Sequence, residues 1–195
     1  NVPTNGTYWS QFAAGSGGIW NAGLSLGSAG QVVKVNSGAS ALEFGTITSK
    51  VVAHSYAENS DTYNNTNTSS DVTATNYTIT HTPQSASNIL LIEFMPNVRH
   101  DSGGGDTNFS YVITRTIGGT TTDFFTNGSD ADYWYDSSGG NRLQFMRYYQ
   151  FRDNTHNTTS AITYGVRFRN PHSTKQISIS NSSGLSRWGI WELQP

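Results

Sequence analysis

Residues 130–141 read DADYWYDSSGGN, a stretch in which three carboxylates, Asp130, Asp132 and Asp136, bracket the consecutive aromatics Tyr133, Trp134 and Tyr135, with Asn141 closing it. Three chemistries are open to such a set. Two carboxyls held about 5 to 9.5 Å apart, one with its pKa raised by an apolar wall, cleave glycosidic bonds. Hard oxygens that converge hold calcium, although this spacing lacks the Gly and terminal Glu of an EF-hand loop. An exposed aromatic beside Asp and Asn stacks on a sugar ring while its polar neighbours bond the hydroxyls. Successive side chains on a strand alternate sides, so three consecutive aromatics cannot all face one core and at least one points out. Glycan binding through Tyr133, Trp134, Tyr135, Asp130, Asp132 and Asn141 is one of two evenly matched readings. In the alternative, Tyr133 and Tyr135 pack inward and Trp134 fills an interchain contact, since aromatics mark protein interfaces as much as ligand sites. Asp130, Asp132 and Asp136 form a weak calcium candidate. Both this cluster and the pair Asp101 and Asp106 in HDSGGGD fall in Gly/Ser loops, where carboxylates are normally solvated, so catalysis is not expected.

The other reactive residue types are scattered. Five histidines, His54, His81, His100, His156 and His172, form no i, i+4 metal pair and no HExxH motif. His54 and His81 fall on otherwise apolar strand faces and read as hydrogen-bonded structural residues; His100 and His172 read as solvated turn positions. SSGLSRWG holds no GxSxG, and the Gly runs GSGG and SGGGD lack the Lys of a phosphate loop. Arg142, Arg147, Arg152, Arg167 and Arg169 cluster in sequence and would suit an anionic polysaccharide if adjacent strands brought them together. Eight Asn-x-Ser/Thr sequons are expected by chance in a chain so rich in these residues. No cofactor is implied.

The elements that must carry these groups are strands. Ser, Thr and Asn make up 67 of 195 residues beside 20 Gly, a composition that favours turns and strands over helix interiors. A net charge of -2 and 12% charged residues argue against general nucleic-acid binding. No apolar run approaches the roughly 20 residues of a membrane helix. Zero cysteine leaves packing or oligomerisation to supply stability. A start at NVPTNGTYW without Met suggests a piece of a longer chain.

The composition changes near residue 46. Residues 1–45 are rich in Gly, Ser and Ala with isolated apolar side chains, and read as a stalk of short β-hairpins around QVVKV, an Asn-Ser-Gly turn and ALEF. Strands so short bury almost nothing alone, so Val33, Val35, Leu42 and Phe44 are expected to be covered by sister chains, with Gly allowing close approach near an axis. Residues 46–195 alternate with period two in KVVAHSYA, NYTITHTP, TNFSYVITRTIGG, SAITYGVRFRNP and SRWGIWEL, whereas NILLIEFMP is apolar on both faces like a central strand. About eight to ten short strands separated by turn clusters predict an all-β fold, an antiparallel sandwich or jelly-roll-like head.

The string GSAGQVVKVNSGASALEFG resembles an element, LG-x-AGQ-V-x-x-VNSG-A-x-ALE-aromatic-G, that recurs in tail fibres and related adhesion proteins of bacteriophages, notably those of marine and cyanobacterial hosts. Phe44 stands where those elements often carry Trp. ITHTPQSASNILLIEF and the closing GLSRWGIWEL are similar, more loosely, to the C-terminal heads of such fibres. The resemblance implies a homotrimeric virion fibre at the particle surface, attached to other tail or capsid proteins, whose head contacts a host surface glycan or protein without catalysis, nucleic acid or membrane insertion. Its rivals are a capsid fibre or decoration protein, a carbohydrate-active enzyme and a secreted bacterial adhesin module.

Overall fold

The computed structural model describes residues 28, 31–46, 50–66, 68–101, 105–128, 132–136, 142–172, 175–179 and 184–195, and all regular structure among them is β. Two compact units result, Asn1–Ser49 and Lys50–Pro195.

In the first unit, β1 (Gln31–Val35) and β2 (Leu42–Thr46) form an antiparallel hairpin in which Val33 faces Phe44 and Val35 faces Leu42. Those four residues therefore share one face, as period two requires. The turn is closed by Asn36, whose Oδ1 accepts from the backbone N–H groups of Ser40 at 3.0 Å and Ala41 at 3.3 Å. The left-handed position is Ala39, at φ 53°, rather than the neighbouring Gly38. The Lys34 stem crosses Gly45 on its way to Glu43, so that a Cβ there would stand 2.2 Å from Lys34 Cε and the exposed lysine would have to move aside. The hairpin leaves Val33 and Val35 exposed and Leu42 and Phe44 half-buried.

The second unit is a two-layered antiparallel sandwich. One layer consists of β3 (Val51–Asn59), β7 (Ile89–Met95), β14 (Tyr149–Asp153) and β17 (Ser186–Leu193) in the order β14-β7-β17-β3. It continues into β4 (Tyr63–Asn65), β8 (Asn97–Asp101), β13 (Arg142–Met146) and β16 (Gln176–Ile179) in the order β13-β8-β16-β4. The break falls at Pro96, which cannot donate to a ladder, and Arg147 N–H bonds the Pro96 carbonyl at 2.9 Å across it. The other layer has β10 (Ser110–Ile117) between β11 (Thr120–Thr126) and β15 (Ile162–Arg169), with β5 (Val72–Thr73) and β6 (Ile79–His81) both on β15. Beyond Phe109, β9 (Gly105–Asn108) pairs with β12 (Tyr133–Asp136). Counting each interrupted strand once, one layer runs sixth-third-eighth-first and the other fifth-fourth-seventh-second, the strand order of a jelly roll built from two Greek keys.

Period two sorts the core. Leu90, Ile92 and Phe94 of β7 and Trp188 and Ile190 of β17 point inward to meet Tyr111, Ile113, Ile162, Tyr164, Val166 and Phe168 of the opposite layer. Phe94 lies 4.5 Å from Trp188 within its layer and 5.6 Å from Tyr111 across the sandwich, ring centroid to centroid. Central β7 does carry side chains of apolar character on both faces, with Glu93 the outward exception.

Two buried carboxylates clamp the layers. Asp153 accepts from Tyr164 Oη at 2.6 Å, Arg115 Nη1 at 2.9 Å and the Thr155 N–H at 2.8 Å. Glu192 accepts from Asn88 at 2.6 Å and the Gln84 N–H at 2.8 Å, and its Oε2 lies 3.0 Å from His81 Nε2. His81 is the structural histidine expected of its strand, whereas His54 lies on the outer face, its ring 4.1 Å from that of Trp191. His100 departs from the expectation of a solvated turn: it belongs to β8 and is fully buried. The adjacent HDSGGGD composition suggested a loop, but Val98 and His100 alternate inward with Arg99 and Asp101 outward.

Candidate functional site

The aromatic stretch forms β12, paired with β9 so that Tyr133 faces Asn108, Trp134 faces Thr107 and Tyr135 faces Asp106. Alternation puts Tyr133 and Tyr135 on the outward side, 47% and 60% exposed. At about 3.4 Å rise per residue their Cα atoms stand roughly 7 Å apart. Trp134 turns the other way, edge-on to His100 at 6.2 Å. The packing alternative is thus reversed: the tyrosines face solvent and the tryptophan packs. Tyr133 also meets His172 edge-on at 5.4 Å, a solvent-exposed neighbour that no spacing in the sequence links to it.

Asp132 does not join this surface. It is 3% exposed, and its carboxylate is taken up by Arg147, through Nε at 2.9 Å and also Nη2, and by the Tyr149 hydroxyl at 3.3 Å. The Arg147 guanidinium in turn lies 3.8 Å over the Phe145 ring. A carboxylate so occupied has no oxygen turned to a sugar or a cation, which corrects its assignment to either site. Asp130 and Asn141 lie outside the described residues, as does the Asp136 side chain. Among the described residues no three His, Cys, Asp or Glu converge to hold a metal ion. The role of Asp132 is positional: its carbonyl accepts from the Phe109 N–H at 3.0 Å, seating the start of β12 beside β9.

Four of these five arginines are taken up in ion pairs, and Arg152 has none among the described residues. Arg142 pairs with Asp101, Arg147 with Asp132, Arg167 with Asp71 and Asp123, and Arg169 with Asp71. Asp101 also binds Arg99, so Asp101 and Asp106 do not form a free carboxyl couple.

One constellation escaped sequence reading. Ser55 Oγ, His81 and Glu192 lie in a line of hydrogen bonds, 2.9 Å and 3.0 Å long, in the order of a nucleophile, base and carboxylate. His81 and Glu192 are sealed inside the sandwich at 4% and 0% exposure. The neighbouring pocket of about 350 Å³, lined by residues including Gln84, Ser85, Asn88 and Gln194, does not reach Ser55 or His81. A molecule in it would not touch this line, which acts as a clamp between β3, β6 and β17.

Beneath Trp134, burial lowers the His100 pKa to about 4, outweighing the raising effect of Asp132 and reinforced by Arg147. Its Nδ1 lies 2.8 Å from Thr107 Oγ1 on β9, and Phe145 stacks on its ring. Burial alone would raise Asp153 and Glu192. Their donors reverse this, Tyr164 and Arg115 for Asp153, Asn88 and His81 for Glu192, leaving both pKa values below the ordinary carboxylate range. In each case the unfolded chain binds more protons, so stability falls with falling pH. Urea midpoints should hold steady near neutral pH, fall from about pH 6.5 as unfolded histidine takes up the proton that buried His100 refuses, and fall again below about pH 5 as the two carboxylates lose their advantage. His100→Phe should remove the first phase and spare the second.

No family model and no curated protein matches this chain. Among solved structures, the infectious bursal disease virus VP2 subviral particle is similar over 85% of this chain and 46% of its own, at 10% identity and TM-score 0.39. The T=1 particles derived from the same virus give 9% identity and TM-score 0.38 over 85% and 41%. A CocE/NonD family hydrolase from Staphylococcus aureus gives 10% identity and TM-score 0.30 over 85% and 37%. The chain spans less than half the length of each. At these scores function must be argued from this chain's own residues.

Proposed function

We propose that this chain is a virion fibre or spike component whose jelly-roll unit attaches to a host surface glycan or protein without catalysis. The observation that carries the reading is the exposed pair Tyr133 and Tyr135, two rings held outward on a short strand whose other side is anchored by Trp134 and Asp132. Neighbouring exposed aromatic faces with hydroxyl tips suit ring stacking and hydrogen bonding at a saccharide. The hairpin residues Val33, Val35, Leu42 and Phe44, on one incompletely covered face, support a homotrimer in which sister chains bury them. The fibre-like GSAGQVVKVNSGASALEFG string supports the virion assignment.

Two measurements test this. On an array of bacterial surface polysaccharides the full chain should bind without releasing sugar, and the double variant Tyr133→Ala, Tyr135→Ala should bind at least about tenfold more weakly, a loss of roughly 1.4 kcal/mol. The native mass should be three times 21.2 kDa and revert to one chain in Val33→Asp, Phe44→Asp. A wild-type monomer would remove the stalk from the proposal.

A further inference from the structure

The outer face of the β14-β7-β17-β3 layer carries a second aromatic arrangement, remote in sequence from β12. Register places Gln150, Glu93, Gly189 and Tyr56 in one row across the four strands, and Arg152, Leu91, Trp191 and His54 in the next. Gly in the middle of a central strand weakens it, and often marks a place where another group must come close. Here that group is the Glu93 carboxylate: a Cβ at position 189 would stand 2.8 Å from its Oε2. Glu93 is held over the strand from both sides, by the Tyr148 hydroxyl at 2.9 Å and the Trp191 indole N–H at 3.2 Å. Tyr148 comes from the β14 edge and Tyr56 from the β3 edge, 56% and 53% exposed. The result is a trough about 14 Å across, three strand spacings, with aromatic walls and a fixed carboxylate in its floor.

We infer that this trough binds a neutral saccharide, with sugar C–H faces on the Trp191 and tyrosine rings and sugar hydroxyls donating to Glu93. A carboxylate has about four acceptor positions, and the two protein donors leave room for two more. Covering it with an apolar protein surface would strand those positions, whereas a saccharide supplies donors in a plane. Charge selects against ions. Arg152, exposed and without an ion pair among the described residues, offsets Glu93 in the adjoining row, and Glu58 is matched by Arg187 at 2.9 Å. The inference does not rest on the β12 tyrosines, and it extends the attachment reading to a second point of contact.

The test is an NMR titration of the full chain, following the Trp191 indole N–H, assigned through Trp191→Phe. The probes are maltohexaose, cellohexaose, laminarihexaose and mannohexaose, with heparin as an anionic arm. At least one neutral hexaose should shift the Trp191 signal saturably. Glu93→Ala and Tyr148→Ala, both outward-facing, should each weaken that binding at least about tenfold. The Tyr133→Ala, Tyr135→Ala variant should leave it unchanged while losing the array binding described above. Four outcomes overturn the inference: no neutral hexaose moves Trp191, heparin alone does, Glu93→Ala and Tyr148→Ala bind as well as wild type, or the β12 variant abolishes the Trp191 shift.

Discussion

Replacing Glu192 with Ala should lower the free energy of unfolding by about 3–5 kcal/mol, the cost of breaking a buried charged cluster by removing one partner. The side chain is fully buried, and it collects Asn88, His81 and the N–H groups of Gln84 and Ser85. Alanine would leave the buried Asn88 and His81 without this partner, while the part-buried N–H groups of Gln84 and Ser85 can turn to water. It would also loosen β17 from β6 and from the turn at 84–88, which Glu192 links through its side-chain oxygens. Glu192→Gln keeps one acceptor oxygen for Asn88 and the backbone and should cost less, about 1–2 kcal/mol. Urea unfolding should show a lower midpoint at an unchanged slope in both variants. If Ala and Gln cost the same, the donors are not what the carboxylate satisfies.

Asp132→Ala should be the second most damaging change, at about 2–3 kcal/mol. The figure is smaller because Arg147 keeps 43% of its side-chain exposure and can recover water. What loses its acceptor is the hydroxyl of half-buried Tyr149, whose pKa is pushed up first by burial and then by Asp132. Loss of this carboxylate should also loosen β12, weakening glycan binding in proportion to the disorder of Tyr133 and Tyr135 rather than through a lost ligand contact. Asp132→Asn separates the two roles. The amide retains an acceptor for Arg147 and should keep most of the binding, whereas a ligating or calcium-holding carboxylate would lose it. Adding calcium should change neither the midpoint nor the binding.

The strands and the sandwich were legible because period two is a strong local signal in KVVAHSYA, NYTITHTP and SAITYGVRFRNP, and because NILLIEFMP, apolar on both sides, has to lie in the centre of a layer. The outward turn of at least one ring in YWY followed from the same alternation. Which rings turn out did not, since it depends on the pairing with β9 and on His100 beneath Trp134, partners brought from other parts of the chain. Asp132 was misread for a related reason. In sequence it sits in a polar loop, and nothing local shows that Arg147, bonded through its N–H to the Pro96 carbonyl between β7 and β8, meets it. His100 looked like a turn residue beside DSGGG because local composition cannot show that β13 and β16 flank it on both sides. The Glu93 trough and the Ser55-His81-Glu192 line join residues about 25 to 110 positions apart, separations at which sequence pattern carries no signal.

The proposed attachment through β12 is tested most directly by equilibrium binding of fluorescently labelled protein to intact bacterial cells, comparing wild type with Tyr133→Ala, Tyr135→Ala at matched urea midpoints. Saturable wild-type binding, at least about tenfold weaker in the variant and with no sugar released into the medium, is the predicted result. Equal binding by a variant that has lost both rings, or cell-wall sugar appearing in the supernatant, would contradict it.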